Sequence, residues 1–204
     1  ASSGTLPLTG SIAVKAAYTV KTDELSLESL DVAVDNLMKG HAAGTVNKPR
    51  SERSFAGSFD ITDLNLAALT YLLPEKDRLK TSIAGSLRLS AFRFAGTGSQ
   101  GLSSAAGLIA LTNASLERDG QSYVKGLNSR VTVTRGTQGV MAKGELSQGD
   151  AKGAVLESLQ APFEILLSRR LKPLTARIPA LSARVAGIAV SGRFGYNAAM
   201  PAPL

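Results

Sequence analysis

Hydrophobic and polar positions alternate along most of this chain with the two-residue period of a half-buried β-strand. Ile12, Val14, Ala16, Tyr18 and Val20 alternate with polar or small residues. Leu25 and Leu27 continue the habit, and Leu30, Val32 and Val34 resume it with the phase switched. Phe59 and Ile61 follow, then Ile83, Leu87 and Leu89, and after another switch Phe92 and Phe94. Ile109 with Leu111, Val131 with Val133, and Leu181 with Val185 extend the pattern. A one-residue phase change sends side chains to the opposite face, so each switch predicts a bulge or a new strand.

One segment has a different period. In Asp63 to Pro74, Leu66, Leu69 and Leu73 fall at helical spacing. Asp63 can cap the first turn and Pro74 can end the helix. Ala161 to Lys172 fits two patterns: Phe163, Ile165 and Leu167 alternate as a strand, while Phe163, Leu166 and Leu167 suit a helix opened by Pro162. The strand is preferred. A weak repeat of glycine and two alternating apolar residues recurs at Gly10-Ser11-Ile12-Ala13-Val14, Gly57-Ser58-Phe59-Asp60-Ile61 and Gly85-Ser86-Leu87-Arg88-Leu89. Its spacing is irregular, so no strict solenoid is expected. The fold class is all-β with one short helix near 63–73, in a single domain over residues 1–204 whose last part, 148–204, continues the sheet.

Composition narrows the chemistry. The 204 residues are 44% apolar and 19% charged, which suits a folded chain and neither a disordered nor a membrane-saturated one. Without cysteine there is no disulfide framework, thiol catalysis or cysteine-ligated zinc. The single histidine, His41, lies among small residues without a neighbouring carboxylate pattern and reads as a surface residue. Asp23, Glu24, Glu28, Asp31 and Asp35 punctuate a strand pattern, which suits a solvated face better than the paired acids of a glycosidase. Gly96-Thr97-Gly98-Ser99-Gln100-Gly101 spells a phosphate-loop motif, but a strand-like run follows where the fingerprint needs a helix. It reads as a hairpin loop. No catalytic residue, metal site or cofactor is expected, which leaves a binding, conduit or structural module.

Charge is unevenly distributed. Residues 1–80 carry 9 Lys and Arg against 10 Asp and Glu, and residues 81–204 carry 14 against 6. The excess in the second half points to an anionic partner or a solvated sheet face. Nucleic acid is disfavoured because only Phe92-Arg93-Phe94 approaches a stacking platform and no helix-turn-helix or RNP-like pattern is present. No run of 18 apolar residues exists. Ala1 to Thr5 is not a signal peptide, and both it and Met200 to Leu204 are expected to be cut ends of a larger or processed protein.

The order of segments carries a resemblance. Glu24 to Val32 leads through Lys39-Gly40 into a strand, followed by Phe59-Asp60-Ile61-Thr62-Asp63-Leu64-Asn65-Leu66-Ala67-Ala68-Leu69. Ala84 to Leu89 comes next, then Leu102 to Leu116 with its closing Gly107-Leu108-Ile109-Ala110-Leu111-Thr112-Asn113-Ala114-Ser115-Leu116. This succession resembles the AsmA/TamB superfamily of bacterial envelope proteins over residues 10–147, and by alternation alone over 148–204. The resemblance implies a long, strongly twisted antiparallel sheet curled into an open groove or partial barrel, apolar inside and polar outside. It further implies a role in moving or holding lipids between two membranes.

The expectation is therefore a non-enzymatic segment that handles the apolar part of phospholipids or related envelope lipids. Its place would be the periplasm or cell envelope of a Gram-negative bacterium, anchored to the inner membrane by a segment outside this chain. A membrane or envelope protein is the further partner expected. The alternative is an assembly factor or scaffold that binds protein strands at its sheet edge; a glycan hydrolase on a β scaffold ranks third. Val14, Tyr18, Leu87, Leu89, Ile109, Leu111, Val131 and Val133 hold central positions in the alternating strands and are the candidates for the groove. Arg88, Arg93, Arg130 and Arg135 are expected near its rim, although alternation puts Arg88 and Arg93 on the opposite face from their apolar neighbours.

Overall fold

Among the described residues, alternation yields eleven strands: β1 (Gly10–Thr19), β2 (Glu24–Val34), β3 (Met38–Asn47), β4 (Ser54–Asn65), β5 (Thr81–Thr97), β6 (Gly101–Arg118), β7 (Gln121–Arg135), β8 (Gly139–Gln148), β9 (Leu156–Ser168), β10 (Pro173–Val185) and β11 (Ile188–Asn197). The computed structural model describes residues 9–49, 53–136 and 138–198; the stretches Ala1–Thr5 and Met200–Leu204 lie outside them. All eleven strands join one antiparallel sheet in chain order, so each strand pairs with the next and none of them is joined by a crossover. The sheet is not closed: β1 pairs with β2 and β11 with β10, which leaves an open edge on each. The segment Ala161 to Lys172 falls largely in β9, as its alternation predicts, and Gly98 to Gln100 make the β5–β6 turn.

The phase switches are bulges. Between Leu27 and Leu30 the register of β2 against β3 shifts, and between Ser90 and Arg93 the register of β5 against β6 shifts. Ala91 occupies a left-handed φ of 53° in that second bulge, and the Asp60 carboxylate accepts its N–H at 2.6 Å. Asn113 has φ 51° in the β6 bulge and donates its N–H to the Asn128 side chain at 3.0 Å. Bulges leave ladder groups unpaired and bend the strand, and here polar side chains from the next strand take up the freed amides. Asp119-Gly120 and Ala186-Gly187 have positive φ at both central positions, the geometry that matches the twist of two-residue hairpins.

The helix differs from its expected bounds. β4 continues through Asp63 to Asn65, because Leu64 pairs with both Met38 and Leu87 and Asn65 pairs with Ser86. A 3-10 helix then runs Leu66–Leu72, with Asn65 rather than Asp63 as its cap, the Asn65 side chain accepting the Ala67 N–H at 3.0 Å. Pro74 precedes one α-helical turn, Glu75–Arg78. The 3-10 helix packs on β5 and buries Ala68, whereas Leu66, Leu69 and Leu73 are half-buried.

Burial falls in more than one place: Ala68 is buried in the 3-10 helix, and Gln148, Ala151, Ala154 and Ala161 are buried around β8, β9 and the loop between them. Ala105, Val133 and Val140 form a buried cluster with Phe92, Leu102, Ile109, Ala142 and Leu167 around it. The β5–β6 hairpin reaches past the shorter β7–β8 hairpin and meets the β9–β10 turn. There the Leu102 N–H donates to the Arg169 carbonyl at 2.8 Å, and the Arg169 guanidinium donates to the Gln100 side chain at 3.0 Å. This contact draws β6 and β9 together over the ends of β7 and β8. Apart from this contact and the helical segment packed on β5, the strands form one layer, and among the described residues no large side chain falls below 2% exposure.

Candidate functional site

Cross-strand partners in a sheet share a face, so the register defines the surface each residue joins. One row runs Ile12, Val32, Gly40, Ile61, Leu89, Ile109, Val131, Gly144 and Phe163, each opposite the next. It crosses β1 to β9 without a polar side chain, a distance of about 38 Å at strand spacing. A flanking row runs Val34, Met38, Leu64, Leu87, Leu111, Ser129, Leu146 and Ala161, with Ser129 its single hydroxyl. Together they form an apolar floor whose long direction lies across the strands.

Aromatic rings line its middle. Phe59 and Phe92 stack with centroids 4.7 Å apart, and Phe94 lies 6.1 Å from Phe59 and 6.2 Å from Phe55. Glycines face these rings and let them approach the backbone closely. A Cβ on Gly57 would come 2.8 Å from the Phe94 ring, and one on Gly96 would come 2.7 Å from the Phe55 ring. Gly107 meets Phe92 in the same way. Glycine here supplies a close approach between backbone and ring rather than a turn.

The eight expected groove residues all lie on this face. Leu87 pairs with Leu111, Leu89 with Ile109, and Ile109 with Val131, while Val133 sits opposite Gly107. Val14 pairs with Leu30, and Tyr18 with Leu25. They differ in burial. Val133 is 6% exposed and belongs to the packed cluster; Leu87, Leu89, Ile109, Leu111 and Val131 are half-buried; Val14 is 62% exposed and Tyr18 41%. The Tyr18 hydroxyl donates to Asp23 at 2.6 Å. Phe55 and Phe59 also belong to the floor and are absent from the sequence-derived set, although the alternation Phe55, Gly57, Phe59, Ile61 is the signal that finds them. Phe163 and Phe194 complete the pattern: all six phenylalanines are on the apolar face.

The opposite face is polar. Arg88, Arg93 and Arg130 project from it, and Arg135 instead falls on the apolar side, opposite Val140 at the end of β7. Asp31 and His41 pair across β2 and β3, Nδ1 to Oδ1 at 2.8 Å, so His41 has a carboxylate partner that no local pattern revealed. Lys15 meets Glu28 across β1 and β2, and this hydrogen bond and charge hold its ammonium above the usual range. Lys143 lies 2.7 Å from Glu164, and its hydrogen bond and charge, with Arg177 beyond, hold the Glu164 carboxyl below the usual range.

Depressions of about 640 and 740 Å³ are rim features. The first is lined by Glu117, Gln121, Lys125 and Lys152, and the second by Asp35, Asn36, Lys39 and Asp63; both are open and polar. Among the described residues no three metal-ligating side chains gather, and no helix is long and apolar enough to cross a membrane. Comparison with known proteins finds no matching family model, no similar curated protein and no similar solved structure.

Proposed function

We propose that this chain is a non-enzymatic envelope segment that holds or conducts the acyl chains of phospholipids or related lipids on its apolar face. The observation that carries the reading is the uninterrupted apolar row from Ile12 to Phe163, half-buried in its middle and uncovered toward β1. A contiguous apolar surface on one side of a single-layer sheet needs cover. An acyl chain provides it at a gain of ~0.8 kcal/mol per methylene removed from water. The direction of the floor, across strands rather than along one, suits a linear ligand that can shift stepwise without crossing a polar barrier. The AsmA/TamB resemblance supports the same reading and its setting between two membranes.

The test is organic extraction of the purified chain followed by mass spectrometry, with reloading by a fluorescent phospholipid. Stoichiometric lipid is expected, and Leu89→Glu with Ile109→Glu should abolish reloading. Absence of stoichiometric lipid from a folded chain would refute the reading. The second reading, a scaffold that captures strands, draws on the edges: every residue of β1 and of β11 is exposed. A scaffold returns no stoichiometric lipid and binds an extended peptide instead.

A further inference from the structure

The polar face is itself divided by charge. On β1–β4 it presents Lys15 and Lys39 against Glu24, Glu28, Asp31, Asp60 and Asp63. On β5–β10 it presents Arg88, Arg93, Arg130, Lys143, Arg177 and Arg184 against Glu117, Glu145 and Glu164. All six of those cations are exposed. The sequence shows only that the second half is basic; the register shows that these cations share one wall, turned away from the apolar floor.

We propose that the β5–β10 outer wall docks on an anionic bilayer surface, with the acidic β1–β4 wall held off it. The arrangement of the cations favours a bilayer over other polyanions. They are spread over four strands, β5, β7, β8 and β10; Arg88 and Arg130, for example, lie in one register row with Ala110 between them, about 10 Å apart at strand spacing. That layout suits a surface of diffuse charge and converges on no single phosphate. Single-stranded nucleic acid needs aromatic stacking beside the cations, and all six phenylalanines are on the other face. A Lys or Arg brought to an anionic membrane gains about fivefold in affinity, acting within a screening length of ~8 Å. The carboxylates of β1–β4 are repelled by the same surface. The sheet therefore lies with its later strands toward the membrane and its floor leading away from it. This docking is independent of what the floor carries.

The experiment is flotation of the intact chain with phosphatidylcholine vesicles, with and without phosphatidylglycerol, at low and high salt. Binding that requires phosphatidylglycerol and collapses at high salt is expected. Arg88→Glu, Arg130→Glu and Arg184→Glu combined should lower affinity at least a hundredfold, while the corresponding Lys substitutions preserve it; circular dichroism verifies that each variant is folded. The chain has no cysteine, so single probes are clean. A fluorophore at Thr132→Cys, on the basic wall, should be quenched by headgroup-labelled lipid, and one at Ala13→Cys, on the acidic wall, should not. Equal binding to neutral vesicles, retention of binding by the folded triple glutamate variant, quenching at Ala13→Cys instead of Thr132→Cys, or preference for an oligonucleotide would each overturn the proposal.

Discussion

Gly101 tests whether the contact between β6 and β9 holds the packed end together. It has φ +80°, and a methyl group added there would enter the Arg169 carbonyl, which receives the Leu102 N–H. Gly120 has φ +76° in the turn at the other end of β6, with nothing within 4 Å of an added Cβ. Gly101→Ala and Gly120→Ala thus share the left-handed strain, about 1 kcal/mol each. Only the first also breaks the closure. Losing the Leu102–Arg169 hydrogen bond costs about 1 kcal/mol. Pushing the Arg169 turn away loosens Leu102 and Leu167 against the buried cluster for roughly 1 kcal/mol more. Gly101→Ala should therefore lose about 3 kcal/mol against about 1 for Gly120→Ala, read as urea midpoints at unchanged slope. The thermal midpoints should separate by roughly 4–8 °C for a chain of this size. Equal losses in the two variants would refute the closure as a source of stability.

Gly107→Val places a side chain where the Phe92 ring lies, a Cβ there standing 2.8 Å from the ring's Cγ, and should cost about 1–3 kcal/mol in urea titration. Asp60→Ala removes the acceptor of the Ala91 N–H in the β5 bulge and should cost about 1.5 kcal/mol, with Asp60→Asn recovering most of it. Leu69→Ala should cost about 1–2 kcal/mol, below the range for a fully buried leucine, because Leu69 is half-buried. Because Glu164 has a lowered pKa in the folded chain, its contribution is complete above the ordinary carboxylate value and disappears as pH falls through the lowered one. Lys143→Met should flatten that acid limb of a stability-against-pH curve without moving the plateau slope near neutrality.

What local sequence encodes here, it encodes well. Alternation places the strands because one side of each must be buried, and the phase switches at Leu27–Leu30 and Leu89–Phe92 locate bulges because a single extra residue inverts the faces. Features made by residues far apart in sequence escape it. His41 meets Asp31 only through the β2–β3 register, and Asp60 supports Ala91 from 31 residues away. The helix start moves from Asp63 to Asn65 because ladder bonds from β3 and β5 hold β4 extended past the first good capping residue. Arg135 follows Val131 and Val133 in phase and so lands on the apolar side, which its charge alone would not suggest. The meeting of the β5–β6 hairpin with the β9–β10 turn depends on the β7–β8 hairpin being shorter, a comparison of strand lengths that no single segment contains.

The same alternating residues do two different things depending on what lies over them. At the closed end, Val133 and Val140 are covered by Leu102 and Leu167, and the apolar face becomes a small core that stabilises the fold. Toward β1 and β11 the pattern continues without cover, and Ile12 at 70% exposure and Phe194 at 56% are as apolar as the residues that pack. A pattern that served folding alone would turn polar where burial ends, because exposed apolar side chains on edge strands invite non-specific pairing. Here it persists to both edges while the opposite face carries cross-strand ion pairs such as Lys15–Glu28 and Lys143–Glu164. The excess of apolar surface beyond what the closed end buries is therefore a feature of the floor, and it supports the reading of that floor as a binding surface.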